Sequence, residues 1–527
     1  MAPVKLTEYR QIEHITTRGP AQLRRLALAA VFLAGVIVFT RTQFGHLDQA
    51  WLLIAAALIG GYMAMNIGAN DVANNVGPAV GSRAMTLGTA IVIAAVFEAA
   101  GAIIAGGDVV STVKNGIIDP ADIGDPMVFV WVMIGALLGA AIWLNIATWL
   151  GAPVSTTHSI VGGVMGAGIA SSGFAIVNWP VMGAIAASWV ISPLVGGLLA
   201  AALLYVLERK VLWQVDPVQA AIRYLPYLLG LMAGAFTTYI ALKGVQNVLS
   251  ISSPVAFGLG LVAGVITFLL TRPGIARRSS SLQQSREGVN TLFTIPLVAA
   301  AALLSFAHGA NDVANAVGPL AGVVEALTSD GVSADSEAGI PLWVLVIGAV
   351  GISLGLALYG PRLIRTVGSE ITQLDRSRAF CVALSAALTV IVASQLGLPV
   401  SSTHVALGGI FGVGFLREYL DQRMAKAVED VLHSHQGDEH IAEVERMLYT
   451  FVNADAETKR DMLSQLSDMG HEAVITAAQR RKLKKALKRQ QVRREHLFRI
   501  VSAWIITVPA SAVLSALFYF ALRGMMV

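Results

Sequence analysis

Residues 68–78 read Gly-Ala-Asn-Asp-Val-Ala-Asn-Asn-Val-Gly-Pro, and residues 309–319 read Gly-Ala-Asn-Asp-Val-Ala-Asn-Ala-Val-Gly-Pro. Each copy lies beside a long apolar run, so Asp71 and Asp312 are carboxylates expected at membrane depth, where an ionisable group is costly and seldom idle. A second motif is duplicated downstream, Ala-Pro-Val-Ser-Thr-Thr-His at 152–158 and Leu-Pro-Val-Ser-Ser-Thr-His at 398–404. Duplicated polar segments interrupted by Gly and Pro inside hydrophobic halves mark the binding site of a secondary transporter.

The composition agrees. With 55% hydrophobic residues, 13% charged residues and 51 glycines among 527 positions, the chain is too apolar for a soluble domain of its size. The formal net charge of +4 does not point to nucleic acid, because the Lys and Arg collect in loops and in one segment near the C-terminus, as in cytoplasmic membrane loops. A single cysteine, Cys381, excludes an intramolecular disulfide and a thiolate metal cluster. There is no Gly-Lys-Ser/Thr phosphate loop and no conventional catalytic arrangement, so the expectation is a protein that is not an enzyme, has no cofactor and draws on an ion gradient.

At about 20 apolar residues per crossing, candidate spans lie at 24–41, 50–83, 86–105, 127–149, 152–172, 180–207, 223–243, 252–271, 292–323, 340–360, 379–396, 399–416 and 499–522. The N-terminal segment, Arg209 and Lys210, 272–286, 362–378 and 417–498 are basic, whereas 106–126 and 324–340 lack that excess. By the positive-inside rule the former are cytoplasmic. Threading the chain accordingly sends the first Asp motif inward and the second outward. The expected fold class is therefore an all-α polytopic membrane protein, an inverted-repeat secondary transporter with broken helices and about 12–13 membrane segments. The expected organisation is a cytoplasmic N-terminus with an extra first span (1–49), a first repeat (50–207), connector spans (208–291) and a second repeat (292–416). A basic helical cytoplasmic insert (417–498) then precedes the last span (499–527). His433, His435 and His440 in the insert lack metal-ligand spacing and read as a polar loop.

Glycines bracket each Asp motif, so a break of the helix is expected at both, freeing backbone groups that only protein or a wet cavity can satisfy. Asp71, Asp312, Asn70, Asn311, Asn74 and Asn315 supply hard oxygen atoms of the kind small cations prefer; the alternative for the Asn side chains is capping. Pro153 and Pro399 can open helices whose first turns carry Ser155, Thr156 and Thr157, and Ser401, Ser402 and Thr403. Two such N-termini converging from antiparallel repeats would surround an oxyanion with N–H and O–H donors; the alternative for the hydroxyls is capping their own helices. Glu98, a third carboxylate at membrane depth, is a candidate for cation binding or gating. His158 and His404 are candidates for coupling, or for hydrogen-bonded support of the loop.

These motifs, together with Val-Phe-Glu-Ala-Ala-Gly around Glu98 and Lys-Asn-Gly-Ile-Ile-Asp at 114–119, resemble those of the inorganic phosphate transporter (PiT) family across both membrane halves. The resemblance implies symport of inorganic phosphate with Na+ or H+, often by a homodimer in the lipid bilayer, here of a bacterial inner membrane. It places Na+ (favoured over H+) at Asp71 and Asp312 with their Asn neighbours, and phosphate at the six Ser and Thr residues. A permease for sulfate or another oxyanion on the same fold, or an uncoupled channel, is the alternative. The chain departs from the family pattern in its extra first span and in carrying its large insert before the last span.

Overall fold

The structure, a computed structural model, describes residues 6–149, 154–243, 251–328, 340–370, 374–434, 441–453, 462, 476 and 494–525. The helices are α1 (Leu6–Phe44), α2 (Ala50–Gly81), α3 (Leu87–Ala105), α4 (Gly107–Ser111), α5 (Pro120–Ile123), α6 (Pro126–Trp149), α7 (Thr156–Ser172), α8 (Trp179–Leu207) and α9 (Pro217–Lys243). They continue as α10 (Ser253–Ser279), α11 (Arg286–Leu292), α12 (Thr294–Asp312), α13 (Ala314–Thr328), α14 (Leu342–Glu370), α15 (Arg376–Gln395), α16 (Ser402–Ser434), α17 (Ile441–Asn453) and α18 (Arg494–Gly524). A π-helical turn, Thr112–Gly116, follows α4. The all-α polytopic expectation holds: among the described residues eleven helical segments, with α12 and α13 counted together, are long and apolar enough to cross a bilayer.

Segments 152–172 and 399–416 are not among the eleven. α7 and α16 instead start inside the protein, with Thr156 and Ser402 bonded to Asp71 and Asp312. α6 with α7, and α15 with α16, form two helical hairpins. Their turns touch, since the Thr157 hydroxyl donates to the Val400 carbonyl at 3.0 Å. Pro153 lies outside the described residues, as do His435, His440 and most of the basic insert.

The expected break at the Asp motifs is not there. α2 runs unbroken through the first motif. α12 and α13 are divided only at Val313, which keeps helical angles (φ −57°, ψ −31°) and still bonds the Gly309 carbonyl. The glycines serve contact instead. A Cβ on Gly68 would collide with the Ile352 backbone, and one on Gly309 with the Glu98 backbone. The Asn side chains find partners across the helix packing, so nothing requires the backbone to open.

The same contacts fix direction. Gly60 faces Ala316 and Leu320, whereas Asp71 faces His308 and Asp312, so α2 runs antiparallel to α12 and α13. The copies are inverted, and they exchange partners. α2 lies parallel to α14 from the second half, through Gly61 on Ile347 and Val72 on Gly360, while α12 packs on α3 from the first. Likewise α7 packs on α18 through Gly162 and Gly166, and α16 on α8 through Gly408 and Gly412. Lipid offers no hydrophobic drive between spans, so these close backbone approaches at small residues hold the bundle.

At the end that carries the basic loops, Arg286 Nη2 lies 2.7 Å from Asp375 Oδ2 and 3.6 Å from Glu208 Oε1, and Asp375 also accepts from the Arg378 N–H. Burial would push the Asp375 carboxyl up, but the charges of Arg378 and Arg286 and their hydrogen bonds outweigh it and hold the group below the usual carboxylate range. The stability this cluster supplies is present above the ordinary carboxylate value of about 3.9 and is lost as pH falls through the lowered value.

Gly68→Ala and Gly309→Ala are expected to lower stability by about 1–3 kcal/mol, the usual cost of overpacking. Gly88→Ala, where a Cβ meets nothing within 4 Å, is expected to be neutral or slightly stabilising. Thermal unfolding of the purified protein in detergent separates the two classes.

Candidate functional site

Asp71 and Asp312 meet where the two hairpin turns converge, each of them buried. Thr156 Oγ1 donates to Asp71 Oδ2 at 2.9 Å, and Ser402 Oγ donates to Asp312 Oδ2 at 2.8 Å. These are equivalent bonds within the two halves. Equivalent bonds also run between the halves: Asn74 Nδ2 donates to Thr403 Oγ1 at 2.8 Å, and Asn315 Nδ2 donates to Thr157 Oγ1 at 3.1 Å. Thr403 Oγ1 in turn donates to Asp71 Oδ1 at 3.0 Å. Each carboxylate is thus met by hydroxyls on the first turn of a helix, beside N–H groups that no helical carbonyl satisfies.

The six hydroxyls divide into two sets. Ser155 and Ser401 cap their own helices, accepting from the N–H groups of His158 and His404. Thr156, Ser402 and Thr403 reach the carboxylates, and Thr157 ties one turn to the other. Asn70 and Asn311 hold the turns: Asn70 Nδ2 donates to the Val154 carbonyl, and Asn311 Nδ2 to the Leu398 carbonyl, while Asn311 Oδ1 accepts from the Val400 N–H. These bonds tie both loops to the Asp motifs.

His158 and His404 stand side by side, ring centroids 4.6 Å apart, with Trp189 stacked on His158 and Trp504 on His404. Trp189 Nε1 donates to the Pro399 carbonyl. The four rings form a column where the halves meet, behind the hydroxyls.

His308, which the sequence reading did not single out, sits at the centre. Its Nε2 lies 2.9 Å from Asp312 Oδ2 and 3.9 Å from Asp71 Oδ2, and its Nδ1 lies 3.3 Å from Glu98 Oε1. Glu98 Oε1 also accepts from Asn75 Nδ2 at 2.8 Å. The site is asymmetric here. His308 precedes Gly309 as Ile67 precedes Gly68, and Glu98 packs on Gly309 as Ile352 packs on Gly68. Asn75 corresponds to Ala316. Comparing the copies position by position would have exposed this polar trio against its apolar counterparts. Single ligand atoms of Asp71, His308 and Asp312 lie within 4.8 Å of one another. Carboxylates buried that closely are stable only with a positive charge or a proton among them.

A sequence profile described as the phosphate transporter family matches residues 67–515, a stretch that takes in all four motifs. The chain belongs to the phosphate transporter family. It is 46% identical over 98% of its length, and 99% of the relative's, to a Helicobacter pylori protein named "Putative phosphate permease". A Pyrococcus horikoshii phosphate permease of the same designation is 41% identical over 70% of this chain and 89% of its own. Among solved structures, one described as the sodium-dependent phosphate transporter superimposes with a TM-score of 0.71 at 31% identity, covering 90% of this chain and 99% of the other. The family is one of transporters, not of enzymes.

His308→Ile is expected to cost about 3–5 kcal/mol, because Glu98 and Asp312 lose their common partner while staying buried. Adding Glu98→Ile, which reproduces the Ile67 and Ile352 pair of the other half, is expected to recover part of that loss. Thermal unfolding of the single and double variants tests this.

Proposed function

We propose that the protein is an ion-coupled symporter that imports inorganic phosphate by alternating access, with Na+ as the coupling ion. The single observation that carries this reading is the convergence of two helix N-termini, from inverted halves, on the paired carboxylates Asp71 and Asp312. Phosphate is held by N–H and O–H donors at the starts of α7 and α16, chiefly Thr156, Thr157, Ser402 and Thr403, with Ser155 and Ser401 fixing the turns. Cations sit on Asp71 and Asp312, with Asn74 and Asn315 beside them. The sodium-dependent designation of the structural neighbour favours Na+ over H+.

Electrostatics supplies the coupling. Two unit like charges about 4 Å apart repel by about 4 kcal/mol at an effective dielectric of about 20. A helix N-terminus returns only about 0.3–1 kcal/mol, up to about 2 in buried geometries. Phosphate beside two bare carboxylates is therefore disfavoured until cations neutralise them. Anion and cation cross together.

Alternating access needs a closure on each side of the site. On the side of the 106–126 loop, Lys114 Nζ from the first half lies 2.5 Å from Glu325 Oε2 on α13, with side chains 8% and 12% exposed. Thr112 Oγ1 from the same π-helical turn donates to the Gly397 carbonyl in the second hairpin turn. Both contacts join halves that must separate for phosphate to enter from that side, which we assign to the exterior of a bacterial inner membrane on the strength of the basic loops at the other end. The N-terminus and 417–498 are then cytoplasmic.

Uptake of labelled phosphate into proteoliposomes under separately imposed Na+ and H+ gradients tests the reading. Accumulation driven by inward Na+ is expected, with at least a tenfold loss in Asp71→Asn and Asp312→Asn. Normal accumulation in both variants would refute the cation sites, competition by sulfate would redirect the substrate, and uptake indifferent to every gradient would mean a channel. For the closure, a short bis-methanethiosulfonate, which forms a disulfide with each thiol and releases methanesulfinate, is expected to bridge Lys114→Cys and Glu325→Cys and stop uptake until a reductant is added, while the charge exchange Lys114→Glu with Glu325→Lys retains it.

A further inference from the structure

Away from the carboxylates, α9 and α10 cross antiparallel with Gly230 against Gly264 and Gly234 against Gly260. Between this pair and α15 lies a cavity of about 710 Å³, open on one side and apolar along most of its wall, where Leu231, Ala235, Leu261, Val265 and Phe268 line it. α10 has only 11% of its most apolar window buried within the protein, less than any other candidate span among the described residues, so the cavity opens towards the bilayer. Its lining on α9 runs from Tyr227 to Leu242, about 22 Å of helix at about 1.5 Å per residue. One leaflet of a hydrocarbon core about 30 Å thick spans about 15 Å.

The lining is polarised. Thr238, Tyr239 and Gln395 gather at the end nearer the α9 C-terminus. Gln395 Oε1 is buried there without a hydrogen-bond partner, and the Tyr239 hydroxyl lies beside Ser394 without completing a hydrogen bond of normal geometry. A volume of this size falls in the range of small-molecule sites. Water is excluded by so apolar a wall, and the medium at its mouth is lipid chain. Length, lateral opening and a polar end together match an amphiphile lying along the helices.

We propose that this cavity is a binding site for one acyl chain of a membrane phospholipid, its ester end towards Tyr239 and Gln395, and that the chain supports α15 from behind. Next to Gln395 on α15, Ser394, itself outside the lining, accepts from Asn311 Nδ2 at 2.9 Å. Asn311 in turn fixes the second hairpin turn through Leu398 and Val400. A chain in the cavity thus bears on the helix that holds the phosphate-site loop.

The test reconstitutes the full chain in phosphatidylethanolamine and phosphatidylglycerol vesicles containing phosphatidylcholine with a diazirine in one acyl chain. After illumination, peptides of α9, α10 and α15 are expected to carry several-fold more label than α18, which also faces lipid. Ala235→Trp on α9, which fills the cavity, is expected to reduce that label several-fold, while Val262→Trp, on α10 and outside the lining, leaves it unchanged. Replacing the bulk lipids by ten-carbon-chain analogues is expected to slow phosphate uptake several-fold in the parent and in Val262→Trp but not in Ala235→Trp, whose indole replaces the chain. Even labelling around the whole perimeter would overturn the proposal, as would Ala235→Trp responding to chain length like the parent. So would loss of label on these helices accompanied by cross-linking of Leu261→Cys between two protomers, which would make the cavity a face between copies.

Discussion

Two carboxylates facing each other in the buried interior are the constraint around which this protein is arranged. Asp71 and Asp312 arrive on antiparallel helices, and the hydroxyls that meet them arrive on two hairpins entering from opposite sides. Neither half completes the site. Asn74 holds Thr403 and Asn315 holds Thr157, so each Asp motif is bonded to the hydroxyl turn of the other half. A buried charge with one donor removed costs several kcal/mol, which keeps the two halves in register while the site is assembled.

The exchange of partners extends that logic to the scaffold. α2 packs on α14 and α12 on α3, with glycine backbones in contact, so each carboxylate-bearing helix is seated on the opposite half. Outward-facing and inward-facing forms of an inverted-repeat transporter interchange the roles of the halves. The His308, Glu98 and Asn75 trio breaks the equivalence, since its counterparts are Ile67, Ile352 and Ala316. The two halves of the site are therefore not chemically alike.

Most of this was legible in the sequence: the duplication named the carboxylates and hydroxyls, and the asymmetry of basic loops gave the inversion. The glycines of the Asp motifs were misleading, because a glycine that opens a helix and one that admits a neighbouring backbone are the same letter. Segments 152–172 and 399–416 had the length of a crossing, and only their contacts with Asp71 and Asp312 show them to be arms of hairpins. His308 escaped notice because a lone histidine on an apolar stretch is ordinarily a satisfied core residue; its meaning lies in three partners distant in sequence. The exchange of α14 and α3 between halves rests on contacts more than 200 residues apart, which no local pattern encodes.

The proposed coupling requires that the anion need the cation. Equilibrium binding of labelled phosphate to the purified protein, measured as Na+ is varied at constant ionic strength, tests this without any transport step. Phosphate affinity should rise at least tenfold with Na+, and phosphate should raise the affinity for Na+ by the same factor, as linkage demands. Phosphate binding that is equally tight with and without Na+, in both the parent and Asp71→Asn, would contradict it.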